Sequence, residues 1–281
     1  MITVKNLYFS YTKHPFLENI NFEVGKGEIF GFLGPSGAGK STLQKILTGL
    51  IANYKGNAIV NGAESREHRD DFYESIGVDF EFPSLYDKLT ARQNLSFFGS
   101  LYKGKLRDAE ELLKKVGLLQ DADKKVSDYS KGMKSRHNFI KALLHDPEIL
   151  FLDEPTSGLD PSNSRDMKDM ILKEKENKKT IILTTHNMSD AAELCDRVAF
   201  IVDGKIKALD TPHNLIMSKG ATKLTYTYYE GKEIKRECLL GHTGEDRKLL
   251  ELLQNNRITS IHSSEPNLND IFIDVTGRVL Q

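Results

Sequence analysis

The residues with the plainest chemical meaning are Gly34-Pro35-Ser36-Gly37-Ala38-Gly39-Lys40-Ser41-Thr42. Their spacing is that of a phosphate-binding loop, G-x-x-x-x-G-K-[ST]. Glycines let successive backbone N–H groups curl around an anion with no side chain in the way. Lys40 is expected to neutralise β- and γ-phosphates, and the Ser41 hydroxyl to ligate Mg²⁺. Such a loop works between a strand and a helix whose N-terminus aims its positive end at the same anion. Both flanks are present: Glu28-Ile29-Phe30-Gly31-Phe32-Leu33 reads as a short buried strand, and Leu43, Ile46, Leu47 and Leu50 recur at helical spacing. A plain glycine turn before a helix shares the glycines but not both flanks. The pattern points to a nucleotide site.

A second apolar run, Glu148-Ile149-Leu150-Phe151-Leu152, ends in Asp153-Glu154. Asp153 is placed like the carboxylate that holds Mg²⁺ opposite Ser41, and Glu154 is a candidate base for an attacking water. Seen alone, two acids after a strand also suit a loop start or a helix cap. Downstream of a phosphate loop the chemical reading is the stronger one.

These side chains need a frame. Thr180-Ile181-Ile182-Leu183-Thr184 and Val198-Ala199-Phe200-Ile201-Val202 are two further buried strands, and Asp160-Pro161 opens a helix carrying Met167, Met170 and Ile171. Strands alternating with helices imply an α/β fold with a mostly parallel sheet covered on both faces. The first 33 residues read as β. Residues 51–82 read as short strands and turns, with Asn61-Gly62 as a hairpin signal. Between about 88 and 145 the pattern turns helical. One amphipathic segment there carries Leu106, Ala109, Leu112, Leu113 and Val116 and ends at Gly117. This block reads as an inserted helical subdomain. After a junction at about Ser218 to Ala221, residues 219–281 read as a small β-β-α-β-α domain in which nothing looks catalytic.

The formal net charge of −1 shows no basic excess for nucleic acid in the totals. The two cysteines, Cys195 and Cys238, lack metal-site spacing and read as reduced thiols. The N-terminus has no secretory h-region, and no apolar run reaches the ~18 residues that span a bilayer. The chain is expected to be cytoplasmic, with any membrane role carried by a partner.

Taken together, and over about residues 1–215, these motifs resemble the ATPase subunits of ATP-binding cassette (ABC) transporters. The resemblance implies a P-loop NTPase core of mixed, mostly parallel sheet. It makes Gly34 to Thr42 the Walker A loop and Ile149 to Glu154 the Walker B strand with its catalytic glutamate. It makes Tyr11 the aromatic that stacks on adenine, Ser157-Gly158-Leu159-Asp160 the D-loop, and His186 the switch histidine that contacts the γ-phosphate. Tyr129-Ser130-Lys131-Gly132-Met133 occupies the place of the signature, usually L-S-G-G-Q; Ser130 and Gly132 are kept, while Lys131 and Met133 depart from it. In this family the signature faces the γ-phosphate of the other subunit, so a second ATPase subunit is implied, as a homodimer or heterodimer. Glu81 stands where the family usually has a glutamine. An ionised glutamate only accepts hydrogen bonds; it would ligate Mg²⁺ or hold a water, unless it is a plain loop carboxylate. Pro83 to Thr90, Asn94 and Leu95 are similar to the exporter-type region that receives the membrane permease, which implies permease contact near 81–95. The run from Pro266 to Arg278 is similar to the tail of the same subgroup.

The implied function is ATP hydrolysis driving a separate permease, with the chain peripheral on the inner face of the membrane. Glu81 and the altered signature also motivate a nucleotide-gated clamp with weak ATPase activity. An ABC ATPase serving nucleic acid or the ribosome is disfavoured by the lack of a second cassette, a long coiled coil or basic excess.

Overall fold

The computed structural model describes residues 1–67, 70–82, 84–218, 223–264 and 266–278. Pro83 of the permease-facing loop and residues 219–221 of the expected junction lie outside the described residues. Two compact units divide at Leu209 and Asp210.

In the first unit the strands and helices run β1 (Ile2–Phe9), β2 (Leu17–Val24), β3 (Ile29–Leu33), α1 (Lys40–Leu47), β4 (Lys55–Val60), β5 (Ala63–Glu64), α2 (Asp70–Ser75) and β6 (Ile76–Asp79). The helical block holds α3 (Ala91–Gly99), α4 (Ala109–Lys115) and α5 (Lys131–Leu143). The chain returns through β7 (Ile149–Asp153), α6 (Pro161–Glu176), β8 (Thr180–Thr185), α7 (Met188–Leu194), β9 (Arg197–Val202) and β10 (Lys205–Asp210).

Six strands form the main sheet in the order β10-β9-β3-β8-β7-β6, with the pairs β9–β3, β3–β8, β8–β7 and β7–β6 all parallel. Strands covered on both faces need near-continuous apolar runs, and every residue of β3, β7 and β8 is buried. A second, antiparallel sheet has the order β2-β1-β4-β5. Its Phe22 packs on Phe30 and Phe32 of β3 at ring-centroid distances of 5.4 and 5.2 Å, so the two sheets share one core with Leu43, Ile46 and Leu47 of α1. Each fully buried side chain of this kind contributes roughly 1.5–3 kcal/mol.

Local chemistry sets the boundaries. Asn61 and Gly62, at φ 49° and 82°, make the β4–β5 turn that their sequence predicts. Asp160 caps α6 by accepting from Asn163 N at 3.0 Å, with Pro161 in the first turn. Thr90 and Gln93 form a capping box at the start of α3. Three details differ from the expectation. Leu50 is outside α1 and 60% exposed, because Gly49 at φ 77° follows the C-cap Thr48 and ends the helix. Leu106 precedes α4, which starts only after Asp108 accepts from Glu110 N and Glu111 N. Residues 70–75 form a helix inside the stretch read as strands and turns; only Phe72 is buried in it, so it carries no helical period.

The second unit contains α8 (Pro212–Met217), β11 (Lys223–Tyr229), β12 (Glu233–Leu239), α9 (Arg247–Gln254), β13 (Ile258–Ser264) and α10 (Leu268–Thr276). Its sheet is antiparallel, in the order β12-β11-β13. Tyr226 and Tyr228 of β11 bury themselves against Leu249 and Leu252 of α9. α10 packs against α8, so α8 groups with this unit rather than with the first.

Candidate nucleotide site

The phosphate loop leaves β3 at Leu33 and enters α1 at Lys40. Gly34 passes so close to β9 that an added Cβ would stand 2.1 Å from the Ile201 carbonyl oxygen. Gly39, at φ 109°, caps α1 without a side-chain bond, which leaves the first-turn N–H groups of α1 for an anion. Lys40 Nζ donates to the carbonyls of Gly34 and Pro35 at 2.7 and 3.1 Å. Burial lowers the Lys40 ammonium below its ordinary pKa, against the opposing pull of the Glu154, Asp153 and Glu81 carboxylates. A bound polyphosphate adds negative charge at this point and favours the protonated lysine further.

The other parts converge from separate strand ends. Asp153, last residue of β7, is buried and accepts from Ser41 Oγ at 3.3 Å and from Thr184 Oγ1. This hydroxyl–carboxylate pair beside the loop is the hard-oxygen donor set that suits Mg²⁺. Glu154 follows at φ 52°, a left-handed conformation that costs a non-glycine residue of order 1–3 kcal/mol. Its N–H donates to the Thr184 carbonyl at 3.0 Å, and its own carbonyl accepts from Ser157 N at 3.0 Å. The turn so formed holds the Glu154 carboxylate against His186. His186 Nδ1 lies 2.9 Å from Glu154 Oε1, and Thr185 Oγ1 donates to Oε2 at 3.3 Å. With the proton on Nδ1 the imidazole donates to the carboxylate, and Nε2 is left for another partner.

His186 is fixed from both sides of the chain. Asn187 N donates to Thr185 Oγ1 at 3.0 Å, and the Asn187 side chain caps α7 through Ser189 N and Asp190 N. Thr156 Oγ1 donates to Asp190 at 2.7 Å and ties the loop after Glu154 to the same helix.

Ser36, Gly37, Gly39, Lys40, Ser41, Thr42, Glu81, Glu154, His186 and Phe16 line one cavity of about 260 Å³. Tyr11 stands beside the loop: its hydroxyl is 3.0 Å from Thr42 Oγ1, and its ring meets Phe9 and Phe16 edge-on at 4.6 and 5.2 Å. Tyr11 is 59% exposed, so much of the residue lies outside the protein core.

Ser130 and Gly132 are not among the residues lining this cavity. Ser130 is exposed and caps α5, its hydroxyl accepting from Met133 N at 3.2 Å.

Three parts of the site went unread in the sequence. Thr184 and Thr185, polar residues closing an apolar strand just before His186, hold the two carboxylates. Asp79, the last residue of β6, is buried and accepts from Asn138 Nδ2 of α5; burial pushes its carboxyl up to about 7. The signal for Asp79 is an acid interrupting the apolar run Ile76-Gly77-Val78.

The family described as ABC transporter matches residues 17–157 of the chain. The chain is similar to the fluoroquinolones export ATP-binding protein of Mycobacterium tuberculosis (strain CDC 1551 / Oshkosh), with 48% identity over all of this chain and 94% of that protein. It is 33% identical to the Nod factor export ATP-binding protein I of Rhizobium meliloti (strain 1021), over all of this chain and 89% of the relative. Among solved structures it is similar to a dimeric ATP-binding cassette in a post-hydrolysis state bound to ADP and Pi. The TM-score is 0.68 and the identity 26%, over 75% of this chain and 98% of that one.

Proposed function

The chain belongs to the ABC transporter family, and on that premise we propose that it is the ATP-binding, ATP-hydrolysing subunit of an exporter, closing with a second such subunit around two ATP to drive a separate membrane permease. The observation that carries this reading is the meeting of the phosphate loop, Glu154 and His186 at one cavity, with Asp153 bonded to Ser41 of its lining.

The backbone from Gly34 to Gly39 and the start of α1 cradle the phosphates, and Lys40 moves from the Gly34 and Pro35 carbonyls onto the β- and γ-oxygens. Ser41 and Asp153 would hold Mg²⁺, with Glu81 as a further ligand or water holder. When bound, Mg²⁺ supplies charge neutralisation on the phosphate oxygens. Glu154 accepts the proton of the water that attacks the γ-phosphate. His186 orients Glu154 through Nδ1 and meets the γ-phosphate through Nε2. Tyr11 offers its open face to adenine. The nucleotide work belongs to the first compact unit, and none is assigned to the second.

Ser130 and Gly132, outside the lining of their own chain's cavity, complete the partner's site from the N-terminus of α5. The docking groove for the permease is the apolar hollow of about 310 Å³ lined by Leu50, Tyr73, Phe80, Phe98, Leu101 and Tyr102, beside the exposed Phe82, Tyr86 and Phe97. No helix among the described residues is long and apolar enough to cross a membrane, so attachment to the inner face of the membrane runs through that permease. The export role rests on the likeness to export ATP-binding proteins. The clamp with weak ATPase activity is not favoured, since Glu154 and His186 are in contact.

Phosphate release from Mg²⁺-ATP by the purified chain tests the enzymatic part, and absence of release sinks it. Co-purification from membranes tests the transport part: a polytopic membrane chain is expected with the wild type and lost with Leu101→Asp in the groove. Recovery of the same membrane chain with both would remove the groove from the proposal.

A further inference from the structure

A second cavity of about 190 Å³ adjoins the nucleotide cavity. It is lined by the end of β6 and its loop (Asp79 to Phe82), by the end of β7 and the turn after it (Asp153 to Pro155), by Ser157 at the start of the D-loop, and by Lys131, Ser135 and Asn138 of α5. The three α5 residues stand at i, i+4 and i+7, one face of the helix. Ser130 and Gly132 are off this face and do not line the cavity. The first turn of α5 therefore presents two surfaces, and the one bearing Lys131 is turned to its own chain. Lys131 Nζ lies over the D-loop, 2.9 Å from where a Cβ on Gly158 would stand.

Glu81 faces the same space and also lines the nucleotide cavity. Neither Glu81 nor Lys131 forms an ion pair or a side-chain hydrogen bond among the described residues. The cavity otherwise carries the acids Asp79, Asp153 and Glu154. A carboxylate placed beside Asp153, Glu154 and a polyphosphate meets repulsion that a nearby cation offsets. Among the described residues Lys131 is the only Lys or Arg lining this cavity; Lys40, which also attracts the Glu81 carboxylate, lies on the side of the nucleotide cavity, where the phosphates take its charge.

We propose that Lys131 and Glu81 of one chain form a charge-matched pair across this cavity, in which Lys131 positions the Glu81 loop against Mg²⁺-nucleotide. The two departures from the family pattern are then one compensated change: the acid at 81 is tolerated because the lysine at 131 faces it. Lys131 is a positioning residue acting within its own subunit, whereas Ser130 and Gly132 act across the dimer. The inference rests on the ATP-binding reading of the neighbouring cavity.

The test is equilibrium binding of a fluorescent, non-hydrolysable ATP analogue with Mg²⁺. It is made at protein concentrations where light scattering reports monomer, so that no partner's Lys131 contributes. Wild type, Glu81→Gln, Lys131→Gln and the double variant are compared, with Lys131→Met as a second neutral variant should Lys131→Gln not fold. Lys131→Gln is expected to weaken binding about 5- to 10-fold with Glu81 present, and by less than about 2-fold in the Glu81→Gln background, a coupling of about 1 kcal/mol. Lys131→Arg, which keeps the charge, recovers most of the loss. Equal effects of Lys131→Gln in both backgrounds overturn the pair while leaving ATP binding intact. A wild-type chain that binds no Mg²⁺-nucleotide overturns the ATP-binding reading itself.

Discussion

His186 Nδ1 stands 2.9 Å from Glu154 Oε1, although 32 residues separate them in the chain. The pair is asymmetric: the Glu154 side chain is 12% exposed, and that of His186 is 49% exposed. Glu154 is held by its turn and by Thr185, and the more exposed His186 is bonded to it. This geometry underlies the orienting role proposed for His186. His186→Ala is expected to lower kcat by about 10²-fold, at the low end for a group assisting general-base chemistry. The Kd for ATP should change by less than about threefold. A large change in Kd with kcat intact would instead make His186 a ground-state binding residue.

The second relationship with a measurable consequence joins Ser41, Asp153 and Thr184. Ser41 and Thr184 both donate to Asp153 Oδ1, so removal of either hydroxyl leaves the carboxylate less well oriented. Chelation of Mg²⁺ with excess EDTA should abolish hydrolysis. Ser41→Ala should raise the Mg²⁺ concentration for half-maximal activity about tenfold or more. Thr184→Val, acting only through Asp153, should raise it about threefold. A Mg²⁺ titration of the ATPase rate checks all three, and unchanged midpoints would remove this trio from metal binding.

Asp79 carries a pH dependence of defined sign. Its carboxyl is held up to about 7 against an ordinary 3.8, chiefly by burial, with Lys141 and the Asn138 bond opposing the shift. A carboxyl raised in the folded state contributes fully below pH 3.8, where both states are protonated. Between 3.8 and about 7 the unfolded chain ionises and the folded chain does not, so stability is lost as pH rises through that window. The loss is about 4 kcal/mol at 1.36 kcal/mol per pKa unit. Asp79→Asn removes it, and the new amide is also able to donate to Asn138 Oδ1, which has no partner among the described residues. Urea unfolding should find the variant more stable by roughly 1–4 kcal/mol at pH 8 and nearly equal to wild type at pH 4. His137, buried and pushed down to about 4, destabilises the protein as pH falls, but it is common to both proteins and cancels in the difference. A difference that does not vary with pH contradicts the assignment.

What the sequence made legible, and what it hid, divides along contact range. Gly34 to Thr42 are contiguous, their flanks are apolar strand and helix, and every part of that inference is local. Asp153, Glu154 and His186 each stand at the end of an apolar strand, and a mostly parallel sheet brings such ends to one edge. The bonds from Thr184 to Asp153 and from Asn138 to Asp79 cross 31 and 59 residues. Nothing in the spacing announces them, because they depend on β7 lying beside β8 and on α5 crossing β6. Glu81 and Lys131 stood out singly as departures. That they face one cavity follows only from the fold. Leu50 and Leu106 differ for another reason: both are apolar residues in helical register that lie outside the capping residues bounding α1 and α4.

The central claim is that Glu154 activates the attacking water in a site that two subunits complete. Glu154→Gln keeps the size and the hydrogen-bonding shape of the side chain but cannot take the proton. Steady-state phosphate release, measured beside the molar mass of the protein in Mg²⁺-ATP, tests the claim most directly. The account predicts a loss of about 10²–10⁴-fold in turnover, ATP retained on the protein, and a shift from monomer to a stable nucleotide-bound dimer. Hydrolysis by Glu154→Gln at the wild-type rate, or a variant that binds ATP and stays monomeric, contradicts it.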